Sequence, residues 1–182
     1  MAETYCDAAR GHPWHGPYHD EEYGFPLEDD AALFERLMLE INQAGLSWLT
    51  ILKKRQAFRR AYDGFAPDIV AAYGDAERNR LLSDSGIVRN RLKVEAAISN
   101  AQKTLELQKT HGSFAGWLAA HHPRSKDDWA RLFKRTFRFT GGEIVNEFLM
   151  SIGYLPGAHI PGCPVYPIIL QQRPPWSSGD RS

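Results

Sequence analysis

The spacing of apolar residues between positions 29 and 152 is the feature that most restricts the fold of this 182-residue chain. In segment 29–44 these residues recur every three or four positions, which is the period of one face of an α-helix. The apolar positions of that segment are Leu33, Phe34, Leu37, Met38, Ile41 and Ala44. No segment alternates apolar and polar residues for long enough to build a sheet. The sequence therefore predicts an all-α fold.

Capping residues and helix breakers divide this region into successive helices. Acidic residues at 28–30 begin a helix that runs to about Ala44, and Ser47 begins one that runs to about Tyr62. Five further helices are predicted at about 75–83, 90–111, 114–121, 126–134 and 142–152. Segments 1–28 and 153–167 are rich in glycine and proline and are predicted to be irregular.

The length of the chain suits a single domain, which we expect to span residues 1–167. Within it we expect a helical core at about 29–122 and a lobe formed by 1–28 with about 125–167, followed by a flexible tail at 168–182. No stretch approaches the roughly 18 apolar residues of a membrane helix, and the N-terminus has no apolar signal core. A cytoplasmic protein with no membrane partner is expected.

The formal net charge is zero, which counts mildly against nucleic-acid binding. The cations are nevertheless clustered: segment 53–60 holds five of them and no acid, and Arg131, Lys134, Arg135 and Arg138 form another group. A neutral total can therefore hide one positive face, although solvated helix faces explain such clusters equally well.

Two cysteines and two histidines near the chain ends are candidate metal ligands: Cys6 and His19 lie near the start, and His159 and Cys163 near the end. Two thiolates and two imidazoles suit tetrahedral zinc, and four protein ligands leave no open coordination position. Such a zinc site would be structural and would join the N-terminal and C-terminal segments. The alternative from spacing alone is two small buried cysteines and two surface histidines.

Glu40 is the main anomaly of the central region, because it lies on or beside the apolar stripe of its predicted helix. A buried carboxylate is costly, so such a group is usually paired or functional. Trp48 follows closely, and the N-terminal segment adds Trp14, Tyr18 and Tyr23. Together these side chains could hold a flat cationic ligand. A Glu that reaches solvent or pairs with an arginine, among ordinary core aromatics, is the alternative.

Segment 84–93 (DSGIVRNRLK) places a short glycine-containing turn between two predicted helices, as in a helix-hairpin-helix. In that motif, backbone N–H groups of the turn bind a DNA phosphate, and nearby cations add attraction without reading sequence. A plain corner between two helices is the alternative. The candidate DNA-binding residues are Gly86, Ile87, Val88, Arg89, Arg91 and Lys93.

Four motifs from Cys6 to about Tyr166 resemble the 3-methyladenine DNA glycosylase I family, a branch of the helix-hairpin-helix glycosylases. The motifs are YHDEEYG (18–24), LEINQAGLSWLTILKKR (39–55), SGIVRNRLK (85–93) and FRFTGGEIVNEFLMSIGYLPGAHIPGC (137–163). The QAGLSW segment followed by LKKR is highly specific to that family.

The resemblance implies a DNA-repair enzyme of base excision repair that hydrolyses the N-glycosidic bond of alkylated purines, with 3-methyladenine as the expected base. It implies that the four Cys and His residues named above bind zinc, that Glu40 is the lesion-binding carboxylate and catalytic residue, and that Tyr18 and Trp48 stack on the base. Tyr23 is expected to complete the aromatic walls. Double-stranded DNA is the implied partner, the base is flipped into the pocket, and a monomer is expected.

The chain departs from the family pattern at several pocket positions. Ala8 stands where a Trp is common, His15 where a Tyr is common, and Tyr23 where a Trp is usual. Asn146 and Glu147 occupy positions that are often a Tyr and a small residue. The preferred base therefore stays open, and so does a protein on the same scaffold that binds lesions or DNA without catalysis or with altered specificity.

A zinc hydrolase is a further alternative. It would use His12, His15 or His19 around a metal with an open coordination position. Ligation by all four of the residues named above would exclude it.

Overall fold

The computed structural model describes residues 3–178, and every regular element in them is a helix, which confirms the all-α prediction. Two 3₁₀ turns lie at Asp63–Phe65 and Pro175–Ser178. The α-helices are α1 (Tyr5–Ala9), α2 (His15–Glu21), α3 (Asp30–Gln43), α4 (Trp48–Ala61), α5 (Pro67–Ala71), α6 (Asp75–Ser83), α7 (Arg91–His111), α8 (Phe114–His121), α9 (Lys126–Thr136), α10 (Gly142–Ser151) and α11 (Tyr166–Gln171).

Side-chain caps begin the three helices that carry most of the central candidate residues. The Asp29 carboxylate accepts a hydrogen bond from the backbone N–H of Ala32 (2.9 Å) at the start of α3. Ser47 Oγ caps α4 and Asn90 Oδ1 caps α7 in the same way. These caps are local in sequence, and the structure begins α3 and α4 where the sequence predicts.

The chain divides into two compact units, and the first, here called the central unit, spans Glu28–Val145. Helices α3, α4, α5, α7 and α8 pack around its core. Aromatic rings fill much of that core, and Trp129, Phe34 and Phe58 are almost completely buried. Burying such rings supplies the largest apolar area per residue available to the chain. The core thereby holds α3 and α4, which carry Glu40 and Trp48.

The second unit, here called the terminal unit, combines the residues up to Leu27 with those from Asn146 onward. Helices α1 and α2 lie within segment 1–28, which the sequence predicted to be irregular. Reciprocal hydrogen bonds between Thr4 and Asp7 form a capping box that begins α1. The short helix α2 tolerates Pro17 because the proline lies in its first turn.

Helix α11 lies partly in the segment predicted as a tail. Its Ile169 is buried and packs with Cys6, Cys163 and Val165, so this part of the chain is held by apolar contacts. Residues 179–182 of the predicted tail lie outside the described residues. No helix between residues 3 and 178 combines the length and hydropathy needed to cross a membrane.

Candidate functional site

Cys6, His19, His159 and Cys163 converge in the terminal unit. All four are buried, and one ligand atom from each lies within 4.8 Å of the other three. Cys163 Sγ is 3.4 Å from His159 Nδ1 and 3.6 Å from His19 Nε2, and Cys6 Sγ is 3.8 Å from His159 Nδ1. The structure therefore brings together the two pairs of candidate ligands from opposite ends of the chain.

These separations fit a tetrahedral zinc ion. With Zn–S near 2.3 Å and Zn–N near 2.05 Å, a tetrahedral angle puts a sulfur and a nitrogen about 3.6 Å apart. The three sulfur–nitrogen distances given above lie within a few tenths of an ångström of that value. Because four protein donors would leave no position for water, a zinc ion here would serve as a structural element.

The second nitrogen of each candidate histidine ligand has its own acceptor. His19 Nδ1 is 2.7 Å from Asp20 Oδ1, and His159 Nε2 is 2.7 Å from the backbone oxygen of Tyr23. Such acceptors are typical of metal-ligating histidines, because they orient the ring and set its tautomer. Burial lowers the pKa of His159 and so favours the neutral imidazole that binds metal.

Local geometry around the cluster depends on Gly24. Its φ of +87° lies in the region that favours glycine, and a Cβ atom there would come within 2.9 Å of Ala158 Cβ and 3.3 Å of His159 Cδ2. A larger residue would push on the loop that carries His159. Gly24 was not predicted as a site residue, although it directly follows the candidate Tyr23 in the sequence.

Two of the candidate aromatic residues, Tyr18 and Tyr23, also lie in the terminal unit. Both are buried, and their rings stack with centroids 5.6 Å apart and an interplanar angle of 30°. The Tyr23 hydroxyl donates to Glu147 Oε2 at 3.4 Å. Glu147, noted in the sequence only as a departure from the family pattern, thus contacts a predicted site residue.

Glu40 and Trp48 belong to the central unit. Glu40 is 4% exposed and lies in α3 among other buried residues, whereas Trp48 is half-buried and begins α4. The turn between the two helices contains Gly45, whose φ of +82° favours glycine. A carboxylate kept out of bulk water in this way can interact strongly with a cation or a hydrogen-bond donor.

Lys93 differs from its predicted role as a DNA contact. It is only 4% exposed, and its ammonium donates to the backbone oxygens of Asn42 (2.8 Å) and Ala44 (2.7 Å). The C-terminal end of a helix carries partial negative charge, which explains why a buried cation is stable there. Lys93 therefore fixes the end of α3 and does not present its charge at the surface.

The predicted hairpin turn joins α6 to α7. Asp84 Oδ1 accepts a hydrogen bond from the N–H of Gly86 (2.8 Å), and Ile87 is buried below the turn. Val88 is half-buried, whereas Arg89 and Arg91 are exposed. The turn thus places two cations at the surface beside the N-terminus of α7, where backbone N–H groups and the helix dipole favour an anion.

An ion pair in the central unit was not predicted from the sequence. Glu35 is buried, and its Oε1 lies 2.6 Å from Arg55 Nε and 3.0 Å from Arg59 Nη2. Two cations of the 53–60 cluster are therefore engaged within the protein. The i to i+4 spacing of Arg55 and Arg59 indicates that the two arginines share one face of α4. Their partner Glu35 comes from α3, so the sequence alone does not identify the ion pair.

A family model described as methyladenine glycosylase matches residues 8–166. DNA-3-methyladenine glycosylase 1 of Escherichia coli is 35% identical over 181 residues, covering 89% of this chain and 96% of that protein. DNA-3-methyladenine glycosylase of Haemophilus influenzae is 33% identical, covering 84% of this chain and 95% of that protein.

Solved structures agree with these sequence matches. A variant of 3-methyladenine DNA glycosylase I in complex with 3-methyladenine has a TM-score of 0.80 and 32% identity, covering 90% of this chain and 97% of that one. The Staphylococcus aureus 3-methyladenine DNA glycosylase I has a TM-score of 0.76 and 35% identity, covering 85% and 92%. With its helical architecture and nearly full-length similarity, this chain belongs to the methyladenine glycosylase family.

Proposed function

We propose that this protein is a DNA-3-methyladenine glycosylase that hydrolyses the N-glycosidic bond of alkylated purines in double-stranded DNA. The observation that carries the proposal is the family match over residues 8–166, together with relatives named for this activity that cover most of the chain. A cytoplasmic location and a monomeric state belong to the same proposal and rest on the sequence alone.

The chemistry follows from the charge of the lesion. A methylated purine is cationic and already a good leaving group, so the protein needs little acid catalysis once the base has left the stack. Glu40 accepts hydrogen bonds from the exocyclic amine edge of the base, and its buried charge favours a cationic base over neutral adenine. Tyr18, Tyr23 and Trp48 provide aromatic faces that attract a cation. The glycosidic bond breaks with oxocarbenium character on the sugar, and water then attacks.

The hairpin of residues 84–90 supplies the DNA contact in this proposal. The backbone of Gly86–Val88 and the N-terminus of α7 face a phosphate, and the exposed Arg89 and Arg91 add sequence-independent attraction. The buried Lys93 supports the end of α3 instead. This assignment makes the turn a helix-hairpin-helix motif.

Zinc is the proposed occupant of the Cys6–His19–His159–Cys163 cluster, where it would hold the N-terminal and C-terminal segments together. A hydrolase that uses His12 or His15 on an open metal is disfavoured. Among the described residues, neither His12 nor His15 belongs to a group of His, Cys, Asp or Glu side chains close enough to share an ion, whereas His19 belongs to the four-residue cluster.

Chromatography of the bases freed from methylated duplex DNA tests the proposal. We expect release of 3-methyladenine by the unmodified protein. In Glu40→Gln we expect about a 10- to 150-fold slower release, because a hydrogen bond to a charged group contributes about 1.5–3 kcal/mol. Glu143→Gln, at an exposed position, is the matched control and should keep the unmodified rate.

The same assay separates the proposal from a lesion-binding protein without catalysis. If methylated DNA is bound but no base is released, the enzymatic function is refuted. If another alkylated purine is released in place of 3-methyladenine, the glycosylase function holds and the expected base is wrong.

A further inference from the structure

A cleft of about 800 Å³ lies in the central unit beside the start of α7. Its walls come from the first turns of α7, from α9 and from the segment that joins α9 to α10. None of the DNA-binding or base-binding residues discussed above lines it. The cleft begins at Leu92, the residue that directly follows Arg91 of the hairpin surface.

The cleft carries an excess of positive charge. Arg131, Lys134 and Arg138 line it, and Glu95 is the acid among the described lining residues. Glu95 is already paired, because its carboxylate oxygen lies 2.6 Å from Arg78 Nε. That guanidinium holds the pKa of Glu95 below its usual range, with further contributions from the charges of Arg91 and Arg138.

The chain itself joins the hairpin to the cleft, because the exposed Arg91 directly precedes Leu92 of the cleft wall. Arg91 lies one helical turn before Glu95 on α7, so their side chains share a face of the helix. The charges of Arg91 and of Arg138, in the segment after α9, both lower the pKa of Glu95. The positive charge of the hairpin therefore continues into the cleft.

A buried asparagine holds the backbone of Arg138. Asn100 Nδ2 donates to the Arg138 carbonyl oxygen (3.0 Å), and Asn100 Oδ1 accepts from the Arg138 N–H (2.7 Å). Asn100 is completely buried, whereas the side chain of Arg138 is exposed. The fold thus fixes the backbone at this position and leaves the guanidinium available to a ligand.

Phe139 follows in a strained conformation. Its φ of +61° lies in the left-handed region, which is costly for a residue with a large side chain. It is nevertheless 37% exposed, and Leu92, which also lines the cleft, is 69% exposed. Backbone strain at an exposed aromatic residue is typical of ligand-binding segments. Apolar side chains beside cations match the alternating sugar and phosphate groups of a DNA strand.

We propose that this cleft is a second DNA-binding surface, continuous with the hairpin, that binds the phosphodiester backbone of the same duplex. Arg138 and Lys134 contact phosphates, and Phe139 and Leu92 contact deoxyribose. The contacts position the duplex without reading its sequence. This inference rests on the proposed function, because it assumes that DNA is the substrate.

Binding to an undamaged duplex over a range of salt concentrations tests the inference. Removing one phosphate contact reduces the slope of log K against log salt by about 0.9. We expect Arg138→Ala and Lys134→Ala each to weaken binding several-fold and to reduce the slope by about that amount. Phe139→Ala should weaken binding and leave the slope unchanged, because a deoxyribose contact releases no counterion.

Lys109→Ala is the matched control. Lys109 is an exposed cation on α7, about 27 Å along that helix from Arg91 and the start of the cleft. Arg138→Ala keeps the backbone hydrogen bonds to Asn100, and circular dichroism checks that each variant folds. The inference is overturned if Arg138→Ala and Lys134→Ala match the unmodified protein in affinity and slope, as they would if the cleft bound another protein. An equal loss in Lys109→Ala also overturns it, because general charge would then explain the effect.

The two proposals fail in different ways. An unmodified protein that binds DNA through the cleft but releases no base from methylated DNA refutes the glycosylase function alone. An unmodified protein that releases base, with Arg138→Ala and Lys134→Ala binding normally, refutes the cleft alone.

Discussion

Replacing Lys93 with methionine tests whether its buried ammonium stabilises the end of α3. Methionine has a similar length, so Lys93→Met fills the same space and removes only the charge and the donors. The variant leaves the backbone oxygens of Asn42 and Ala44 without the hydrogen bonds of 2.8 Å and 2.7 Å that they now accept. The perturbation therefore acts on the turn between Glu40 and Trp48.

The expected loss follows from those two acceptors. A buried acceptor without a donor costs about 1–3 kcal/mol, so the buried oxygen of Asn42 and the half-buried one of Ala44 together cost at most about 6 kcal/mol. Removing the buried charge of Lys93 offsets part of that cost, so we expect a net loss of about 3 kcal/mol. For a chain of this length, that corresponds to a decrease in Tm of about 6–12 °C.

The effect should depend on pH with a defined sign. Burial lowers the pKa of Lys93 from its usual value near 10.5. Between that lowered native pKa and about 10.4 the unfolded chain binds more protons than the native state at this group, so its contribution to stability rises with pH. The difference in stability between the unmodified protein and Lys93→Met should therefore widen as the pH approaches 10.5. Burial raises the pKa of Tyr62 and of Tyr73, and both residues are present in the two proteins, so their titration cancels in this difference.

Urea unfolding at several pH values measures both effects. The midpoint should fall in Lys93→Met with little change in the m-value, because the surface exposed on unfolding is nearly the same. Lys109→Met, at an exposed position of the same helix, should stay within about 0.5 kcal/mol of the unmodified protein. Equal midpoints for Lys93→Met and the unmodified protein would refute the reasoning.

Two further results are expected. If zinc occupies the cluster, elemental analysis should show about one zinc per unmodified chain. Removal of zinc by a chelator, or Cys163→Ser, should destabilise the terminal unit and expose it to proteolysis. Protease resistance that is unchanged by the chelator would contradict a structural role for zinc. Glu35→Ala should lower the free energy of unfolding by about 3 kcal/mol, because it removes the buried carboxylate that pairs with the largely buried Arg55. Denaturant unfolding measures that loss, and a change below about 0.5 kcal/mol would show that Glu35 is better solvated than its burial indicates.

The sequence predicts most of the central helices because their signals are local, whereas the short helix α5 (Pro67–Ala71) was not predicted. Asp29, Ser47 and Asn90 each lie immediately before an apolar periodic segment, and each caps a helix in the structure. The helices α1 and α2 were not predicted because three glycines and three prolines are spread through segment 1–28. The local signal was the Thr4–Asp7 capping box, which is short enough to be overlooked beside that composition.

The features that the sequence did not predict depend on contacts between distant parts of the chain. The spacing of His159 and Cys163 is visible in the sequence, but only the fold brings Cys6 and His19 to them. Lys93 follows two exposed arginines and resembles them in charge, yet it faces carbonyl oxygens contributed by α3. The helical period alone places Lys93 beside buried residues of α7. The carbonyl oxygens that it binds cannot be predicted in this way, because they depend on how α3 and α7 pack.

The order of the four proposed metal donors along the chain has a consequence for protein synthesis. The whole central unit, Glu28–Val145, is translated after Cys6 and His19 and before His159 and Cys163. Because domains fold as units while the chain is being made, the nested unit can fold on the ribosome before the last two donors exist. A nascent chain that terminates within the central unit holds only half of the proposed donor set, so a metal ion bound by all four residues would distinguish chains that extend past Cys163 from shorter ones.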